Sequence, residues 1–535
     1  MTYMYLRETR QKRADGSYLA HLQIAESVWD PVKRHTHIRI LYNCGRAEDP
    51  AVAERLRRLA RSILRRCSPE EIVAQDPSWR LLDAWPYGDV YVLEQLWRRL
   101  GMVLREVLDP RKLDFPLERA LFAMVANRAC APASKLSCHE QWLAEEVRIE
   151  GTEGLALHHL YRAMDVLEAN KERIEQAIYY RLADLFNLDV ELIFYDTTSL
   201  HFEIDEEDEG RGETDEVQGS RTAGAKTYRA LRKRGKSKNG RDNAPQLVVG
   251  LAVTRDGFPV RHWVFPGNTV DVTTVEKIKA ELKGWKLGRC VFVGDAGMVS
   301  EKNLKALGAS GGRYILCLPI HAGGEIDAAV LSRPGRYRAV AENLRVKEIV
   351  VGEGRRYVLC HNPQEEARQR EHRARVLAEL QAELQSLRDP RCEGHSKRVC
   401  GLRASRRYGR YLKLTAKGAL LIDEAKVKAA ERLDGKFVVH SNDDTLTAED
   451  LALGYKQLQR VEEAWRTLKS GLRLRPVFHW AVHRIHAHVF LTVLALLLER
   501  MAEAACADTW RNIRHDLKRI KLAQLLSPQG TVWQV

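Results

Sequence analysis

The sequence predicts a mixed α/β core, preceded by a helical region and interrupted by a β-rich insertion. Three observations carry this prediction. Near Val190 the apolar period changes from helical to strand-like. From there to residue 320, strand-length apolar runs alternate with helical stretches. Between 321 and 445 that order breaks into short β-like pieces around one long polar helix, and helical sequence resumes afterwards.

Residues 4–42 alternate in short β-like runs, with Asp15-Gly16 as a turn signal. Pro50 to Cys67 reads as a helix with Leu56, Leu59 and Ile63 inside and arginines on its other faces. Residues 1–80 therefore read as a small β/α accessory unit, either DNA-binding or simply basic and solvated. From 85 to 188 the pattern is helical almost throughout. VELIFYDTTSLHFE then forms a strand-length run with Asp196 at its polar end. An acidic loop, Asp205 to Glu216, precedes a basic loop from Arg221 to Arg241 that holds nine Lys or Arg, among them Arg232, Lys233, Arg234, Lys236 and Lys238. QLVVGLAVT and PVRHWVF read as strands joined at Arg255-Asp256-Gly257. A helix over Thr273–Leu287 leads to CVFVGDAGMVS, which presents Asp295, and GRYILCLPI closes the expected sheet.

In the insertion, Leu377, Leu380, Leu384 and Leu387 mark a seam too short for a coiled-coil dimer, so packing within the insertion is expected. Gly454 to Trp480 opens as a helix. At 100° per residue, Tyr455, Leu458, Glu462, Arg466 and Lys469 fall within about 40° of one line. Val461, Trp465, Leu468 and Leu472 form an inward stripe beside it. A second, strongly apolar helix follows. The expected divisions are 1–80, 85–188, a core made of 189–320 and 446–505, the insertion 321–445, and a tail 506–535.

A chain of 535 residues is too long for one core. Its net charge of +14 and pI near 9.3 favour a polyanionic partner such as nucleic acid. Ten cysteines without CxxC pairs, no apolar leader and no apolar run long enough to span a bilayer predict a soluble cytoplasmic protein.

Two strand-end aspartates and one helix-borne glutamate suit two-metal phosphoryl transfer. Carboxylates hold two Mg²⁺ ions about 3.5–4 Å apart, and the cations prepare the nucleophile and steady the leaving oxygen. Asp196 and Asp295 end apolar strands, 99 residues apart, and Glu462 follows 167 residues later because the insertion intervenes.

YDTTS around Asp196, GDAGMVS around Asp295 and Tyr455-x6-Glu462-x6-Lys469 resemble the three catalytic blocks of DDE transposases, more narrowly of the insertion-sequence-four superfamily. GKSKNGRDNAPQLVVGLAVTRDGFPV and RPVFHW…RIHAHV resemble blocks of its insertion-sequence-1634-like branch. The resemblance covers roughly residues 85–505. It implies an RNase H-like catalytic fold, metal ligation by Asp196, Asp295 and Glu462, and Mg²⁺-dependent cleavage and joining of DNA, with Mn²⁺ able to substitute. Tyr455, Arg466 and Lys469 would contact phosphates of the terminal inverted repeats, with the basic loop as a further contact. Pairing two element ends implies a homodimer, and the family implies a bacterial, nucleoid-associated protein. The superfamily's helix-borne arginine is Leu458 here. Some relatives stack a flipped base on an insertion-domain tryptophan. No Trp occurs between 301 and 454, so Tyr337, Tyr357, Tyr408 or Tyr411 would have to serve. The rival readings are a structure-selective metal-dependent nuclease and a non-catalytic DNA-binding descendant of a transposase.

Other signals carry less. GSRTAGAKT has one residue too many for a phosphate-binding loop and follows no strand. YDTTS lacks the second acid of an aspartyl-phosphate enzyme. His479, His483 and His486, and separately Cys392, His395 and Cys400, lack a completing zinc ligand.

Overall fold

Alternating apolar and polar residues near the amino end build a three-stranded antiparallel meander of β1 (Met4–Lys12), β2 (Tyr18–Asp30) and β3 (His35–Arg46). The computed structural model describes residues 4–13, 18–30, 35–64, 66, 79–108, 113–185, 192–209, 216–218, 227–238, 240–283, 285, 291–320, 326–352, 355–387, 395–415, 418–527 and 530–535. The Asp15-Gly16 turn, the Arg221–Lys226 half of the basic loop, most of the GSRTAGAKT stretch and Cys392 lie outside them. The arginine-rich helix α1 (Pro50–Leu64) and strand β4 (Arg80–Pro86) follow. Residues 1–89, 146–148 and 514–535 gather into one compact unit; 90–145 and 149–513 form a second.

The helical region contains α2 (Gly88–Leu108), α3 (Leu117–Cys130), α4 (Leu157–Ala169) and α5 (Lys171–Leu185). β5 (Leu192–His201) starts the sheet. A small ribbon, β6 (Glu216–Gln218) with β7 (Thr227–Arg229), precedes the hairpin of β8 (Gln246–Thr254) and β9 (Pro259–Pro266). That hairpin turns at Gly257, whose φ of +83° is a conformation side chains resist. Next come α6 (Asp271–Lys283), β10 (Val291–Gly294), α7 (Glu301–Gly308) and β11 (Arg313–Leu318). β5, β10 and β11 run parallel, while β8 and β9 alternate antiparallel beside β5.

The sheet does not close at β11. β12 (Arg338–Ala341), β13 (Leu344–Val351) and β14 (Arg355–His361) extend it, with order β12-β13-β14-β17-β11-β10-β5-β8-β9 once β17 (Lys436–Ser441) is counted. Part of the expected insertion is thus sheet. Local periodicity shows that a run is a strand but not which distant strand it pairs with. Among the described residues, the longest stretch of the expected insertion outside the sheet lies within 362–435. α8 (Pro363–Ser386) is capped by Asn362, whose side chain accepts from the Gln364 and Glu365 amides. With α9 (His395–Ala404), the hairpin β15 (Leu412–Leu414)–β16 (Leu420–Ile422) and α10 (Glu424–Glu431), it surrounds its own core of Val376, Leu380, Tyr411 and Leu412. Leu377 and Leu384 pack against that core, and buried Arg373 grips Asp434 through two hydrogen bonds of 2.7 and 2.5 Å.

One face of the main sheet packs on α6 and α7 through Tyr195, Trp263, Ile278, Phe292 and Leu316. α11 (Ala448–Lys456) and α12 (Gln459–Arg466) cover the other face. There a β-carbon on Gly454 would meet Ile315 and Leu192. α13 (Val482–Cys506) is buried along most of its length against α3, α4 and β9. After α14 (Trp510–Leu517), β18 (Lys521–Ser527) pairs with both β19 (Gly530–Gln534) and β4. The last residues, expected as a peripheral tail, are structured in this way by long-range pairing that sequence spacing does not reveal. Among the described residues no helix is long and apolar enough to cross a membrane.

α5 is fastened to β9 by charge. Lys171 Nζ lies 2.6 Å from Glu175 Oε2 and donates to the His262 carbonyl at 2.8 Å. The His262 amide donates to Glu175 Oε1 at 3.1 Å. Burial alone would raise the Glu175 pKa, yet Lys171 and His262 overcome it and hold it at about 2. Burial pushes His262 down to about 4, so its ring is neutral.

Candidate active site

β-Strand register creates the site. β10 runs parallel to β5 with Val291, Phe292 and Val293 opposite Leu192, Ile193 and Phe194. Past the end of that ladder Asp295 follows β10, and its charge is felt at Asp196 on β5. Alternation along β5 turns Tyr195 into the α6 side and Asp196 toward α12. Tyr195 is fixed by its hydroxyl, which donates to Thr274 Oγ1 at 3.1 Å, and by Gly250, where a β-carbon would stand 2.6 Å from that hydroxyl.

Asp295 begins a 3₁₀ turn, Ala296–Met298, and is exposed. The Tyr455 hydroxyl donates to its Oδ1 at 3.2 Å. Burial, then Cys317 and Asp295, push the Tyr455 phenol far up, so it stays a proton donor. Asp196 is held above the usual carboxylate range, first by burial and also by the like charges of Asp271 and Asp295, with Lys238 opposing.

Asp271 is the residue that sequence reasoning missed. It opens α6, accepts a 2.5 Å hydrogen bond from Thr197 Oγ1 and lies 3.0 Å from Lys238 Nζ. An acid in a helix's first turn is ordinarily a partner for the helix dipole, so nothing local marked it. Lys238, expected on DNA, reaches inward: its Nζ also donates to Thr197 O at 2.9 Å and stands 3.7 Å from Asp196 Oδ1.

The helix that carries Glu462 is not one helix. Between Gln457 and Val461 the amides of Leu458, Arg460 and Val461 bond three residues back, to Tyr455 at 2.9 Å, Gln457 at 2.9 Å and Leu458 at 3.1 Å, and the Gln457 amide is shared between Leu453 and Gly454. This tighter winding advances the chain by about 120° per residue. Thr467–Gly471 unwinds into a π-helix, with the Leu472 amide on Thr467 O at 3.0 Å. The single line of Tyr455, Glu462 and Lys469 is therefore broken at both ends. Tyr455 faces Asp295 instead of presenting itself beside Glu462. The inward stripe holds, with Val461, Trp465, Leu468 and Leu472 all buried.

Glu462 and Arg466 are exposed on α12, which packs on β5 and β8, and Glu462 makes no hydrogen bond or ion pair among the described residues. Glu463 accepts from Gln459 Nε2 and Arg460 Nη1, both at 3.2 Å. Lys469 is half-buried and feels the charge of Asp196, while burial and Arg475 lower its pKa. Among the described residues no three His, Cys, Asp or Glu side chains close on one point to hold a metal.

The basic loop is less open than expected. Arg232 is buried and bonded to Asp208 at 2.5 Å, and Arg234 pairs with Glu207 at 3.5 Å. Among the described residues, Asp208 and Glu207 of the acidic loop pair with Arg232 and Arg234 of the basic loop, a pairing invisible when each loop is read alone. Lys236 is exposed and Lys233 half-buried. Of the tyrosines expected to stack a base, Tyr357 and Tyr411 are buried, and Tyr337 and Tyr408 half-buried.

No curated protein sequence matches the chain. Among solved structures it is similar to a cryo-EM structure of the piggyBac transposase synaptic complex with hairpin DNA, at TM-score 0.34 and 9% identity, covering 81% of this chain and 79% of that one. It is also similar to the Mos1 transposase paired-end complex with left transposon end (TM-score 0.14, 10% identity, 42% of this chain and 56% of that one). A third is the Mos1 mariner paired-end complex with Mn (0.15, 11%, 51% and 69%). Superpositions this loose fix no residue correspondence. The family model for the transposase DDE domain matches residues 216–498, a span that includes Asp295 and Glu462 and begins after Asp196. With more than half of its 535 residues matched, the chain belongs to the DDE transposase family.

Proposed function

We propose that this transposase cuts and joins DNA at the ends of an insertion sequence of the insertion-sequence-four type, by two-metal phosphoryl transfer. The observation that carries the reading is the parallel β5–β10 pairing, beside which Asp196 feels the charge of Asp295. A strand order β9-β8-β5-β10-β11, antiparallel then parallel about β5, supports an RNase H-like core.

The donor chemistry fits a divalent cation. The available groups are hard carboxylate oxygens, and the crowding of Asp196 by Asp271 and Asp295 is relieved when positive charge enters. Asp196, Asp295 and Glu462 would hold Mg²⁺ or Mn²⁺, and such ions supply an activated nucleophile and stabilise the leaving oxygen. The chain's own groups do the rest. Tyr455 orients Asp295 by hydrogen bond, Lys238 and Thr197 restrain Asp271, and Arg466 and Lys469 offer cations to phosphates of the DNA ends. A homodimer acting on paired ends in the bacterial cytoplasm completes the reading.

The test is a duplex carrying the element's end, incubated with the full chain and Mg²⁺. Nicking and joining to a target duplex are expected, both abolished by EDTA. Asp196→Asn should bring cleavage to background while end binding persists. Cleavage without joining would identify a nuclease, and binding without cleavage would identify a non-catalytic DNA-binding protein.

A further inference from the structure

The ammonium of Lys238 is surrounded by oxygens of three residues. Nζ donates to the Thr197 carbonyl at 2.9 Å and to Thr197 Oγ1 at 2.6 Å. Asp271 Oδ2 lies 3.0 Å away and Asp196 Oδ1 3.7 Å away. The Thr197 hydroxyl gives its own hydrogen to Asp271 Oδ1 at 2.5 Å, so what it turns to the ammonium is a lone pair. Among the described residues Lys238 is the one ion-pair partner of either aspartate.

This is more than holding a lysine requires. A surface ion pair takes one carboxylate and contributes little. Here two carboxylates, a hydroxyl and a backbone carbonyl meet at a single positive charge, and an all-oxygen set is what hard divalent cations take. The place is open to exchange with solvent, since the Lys238 side chain is 40% exposed and those of Asp196 and Asp271 are 23% exposed. The loop does not depend on the ammonium for its position. The Lys238 amide donates to Ser199 Oγ at 2.9 Å and the Ser237 amide to Asp242 Oδ1 at 2.6 Å, so the side chain can swing away while the backbone stays anchored.

The turn that Asp295 opens reaches the same carboxylate. A β-carbon on Gly297, two residues after Asp295, would stand 3.6 Å from Asp271 Oδ2, the oxygen that faces Lys238. Asp271 thus borders both strands that carry the aspartates foreseen from the sequence.

Resting on the reading that the chain cleaves DNA with a divalent cation, we propose that Asp271 is a further ligand of that cation and that Lys238 holds its place. The ammonium leaves the oxygens of Asp196, Thr197 and Asp271 when the ion binds. Before that, Lys238 offsets the repulsion between carboxylates that face one another across the site. The exchange keeps the oxygen set and changes only which positive charge fills it.

The test is made on the full chain without DNA. Mn²⁺ is titrated and the free ion is counted by electron paramagnetic resonance. Asp271→Asn is expected to weaken Mn²⁺ binding about tenfold. Lys238→Met should tighten it about fivefold, because a competing positive charge is gone, a gain that misfolding does not produce. Asp256→Asn, which removes an equal charge from an exposed hairpin turn, should leave the affinity unchanged. The double variant decides what Asp271 does. Loss of a ligand still costs about tenfold in the Lys238→Met background, whereas loss of a residue that only holds Lys238 costs nothing there, and that second result overturns the proposal. Amine acylation scored by mass spectrometry reads the exchange itself: Mg²⁺ should raise labelling of Lys238 several-fold and leave Lys236 unchanged. Labelling of Lys238 that Mg²⁺ does not alter, in a chain that binds Mn²⁺, overturns the proposal, as does Asp271→Asn with wild-type affinity. If Mn²⁺ affinity follows Asp271 and Lys238 as expected while no DNA is cleaved, the reaction fails and the cation position stands. If wild type cleaves and Asp271→Asn keeps both affinity and cleavage, Asp271 as a ligand fails alone. A wild-type chain that binds no Mn²⁺ overturns both.

Discussion

Glu462 and Glu463 are neighbours in sequence with different surroundings. Glu463 is tied to Gln459 and Arg460 on its own helix, a surface arrangement that contributes about 0–1 kcal/mol. Glu462 makes no hydrogen bond or ion pair among the described residues and sits exposed on the helix that packs on β5. We therefore expect Glu462→Gln to abolish DNA cleavage while end binding holds or tightens, since a negative charge near phosphate is removed. Glu463→Gln should keep most activity, and neither change should move the melting temperature by more than about 2 °C. A dead Glu463→Gln beside an active Glu462→Gln would reassign the acid. At this scale Asp295 stands just past the end of its strand as expected, whereas Asp196, expected at a strand end, lies inside β5 opposite Leu251 of β8, because the strand runs on past it to His201. Asp271 was not legible in the sequence, because a first-turn aspartate has a sufficient local explanation. The Tyr455–Asp295 contact was hidden by the change in helix winding, which no periodicity of 3.6 anticipates.

The joint between α5 and β9 shows how much a single element depends on one buried carboxylate. Glu175 compensates Lys171 and takes the His262 amide, with Arg261 Nε 3.8 Å away. Replacing it by Gln leaves Lys171, whose side chain is only 12% exposed, uncompensated. Losing one partner of a buried pair costs about 3–5 kcal/mol, so Glu175→Gln should melt several degrees lower at pH 7. The folded pKa of Glu175, about 2, lies below its ordinary 4.5. Its stabilisation is therefore complete above pH 4.5 and lost as pH falls through that value toward 2. The gap between wild type and variant, read from melting curves, should narrow on acidification from pH 5 and stay constant from 6 to 8. The helix itself was legible from its apolar spacing. Its attachment was not, because Lys171 and Glu175 at i and i+4 read as an ordinary surface pair, and only the arrival of β9 buries them.

Taken whole, the chain's charge of +14 predicts salt-sensitive DNA binding, but the charges are not equivalent. Arg234 faces Glu207 and Arg232 faces Asp208, whereas Arg466 is exposed and Lys469 has no acidic hydrogen-bond partner among the described residues. Arg466→Ala or Lys469→Ala should each reduce the slope of log affinity against log salt by about one, and Arg234→Ala should change it little. Equal effects from all three would mean that the acidic loop opens on DNA. The alternation of strand and helix along the sequence foretold a mixed sheet, yet not its nine-strand order, since pairing partners separated by whole helices leave no mark on either strand. The same holds for 362–435. β14 and β17 are hydrogen-bonded neighbours, with His361 opposite Lys436 and the Asn362 amide on the Gly435 carbonyl at 2.8 Å. The intervening segment thus departs from the sheet and rejoins it at almost the same point, carrying a core of its own. Lineages could gain, shorten or exchange such a segment without any strand changing its neighbour, and a two-residue turn would suffice to heal the cut. The segment meets the sheet through a seam the width of one pair of residues, His361 and Lys436.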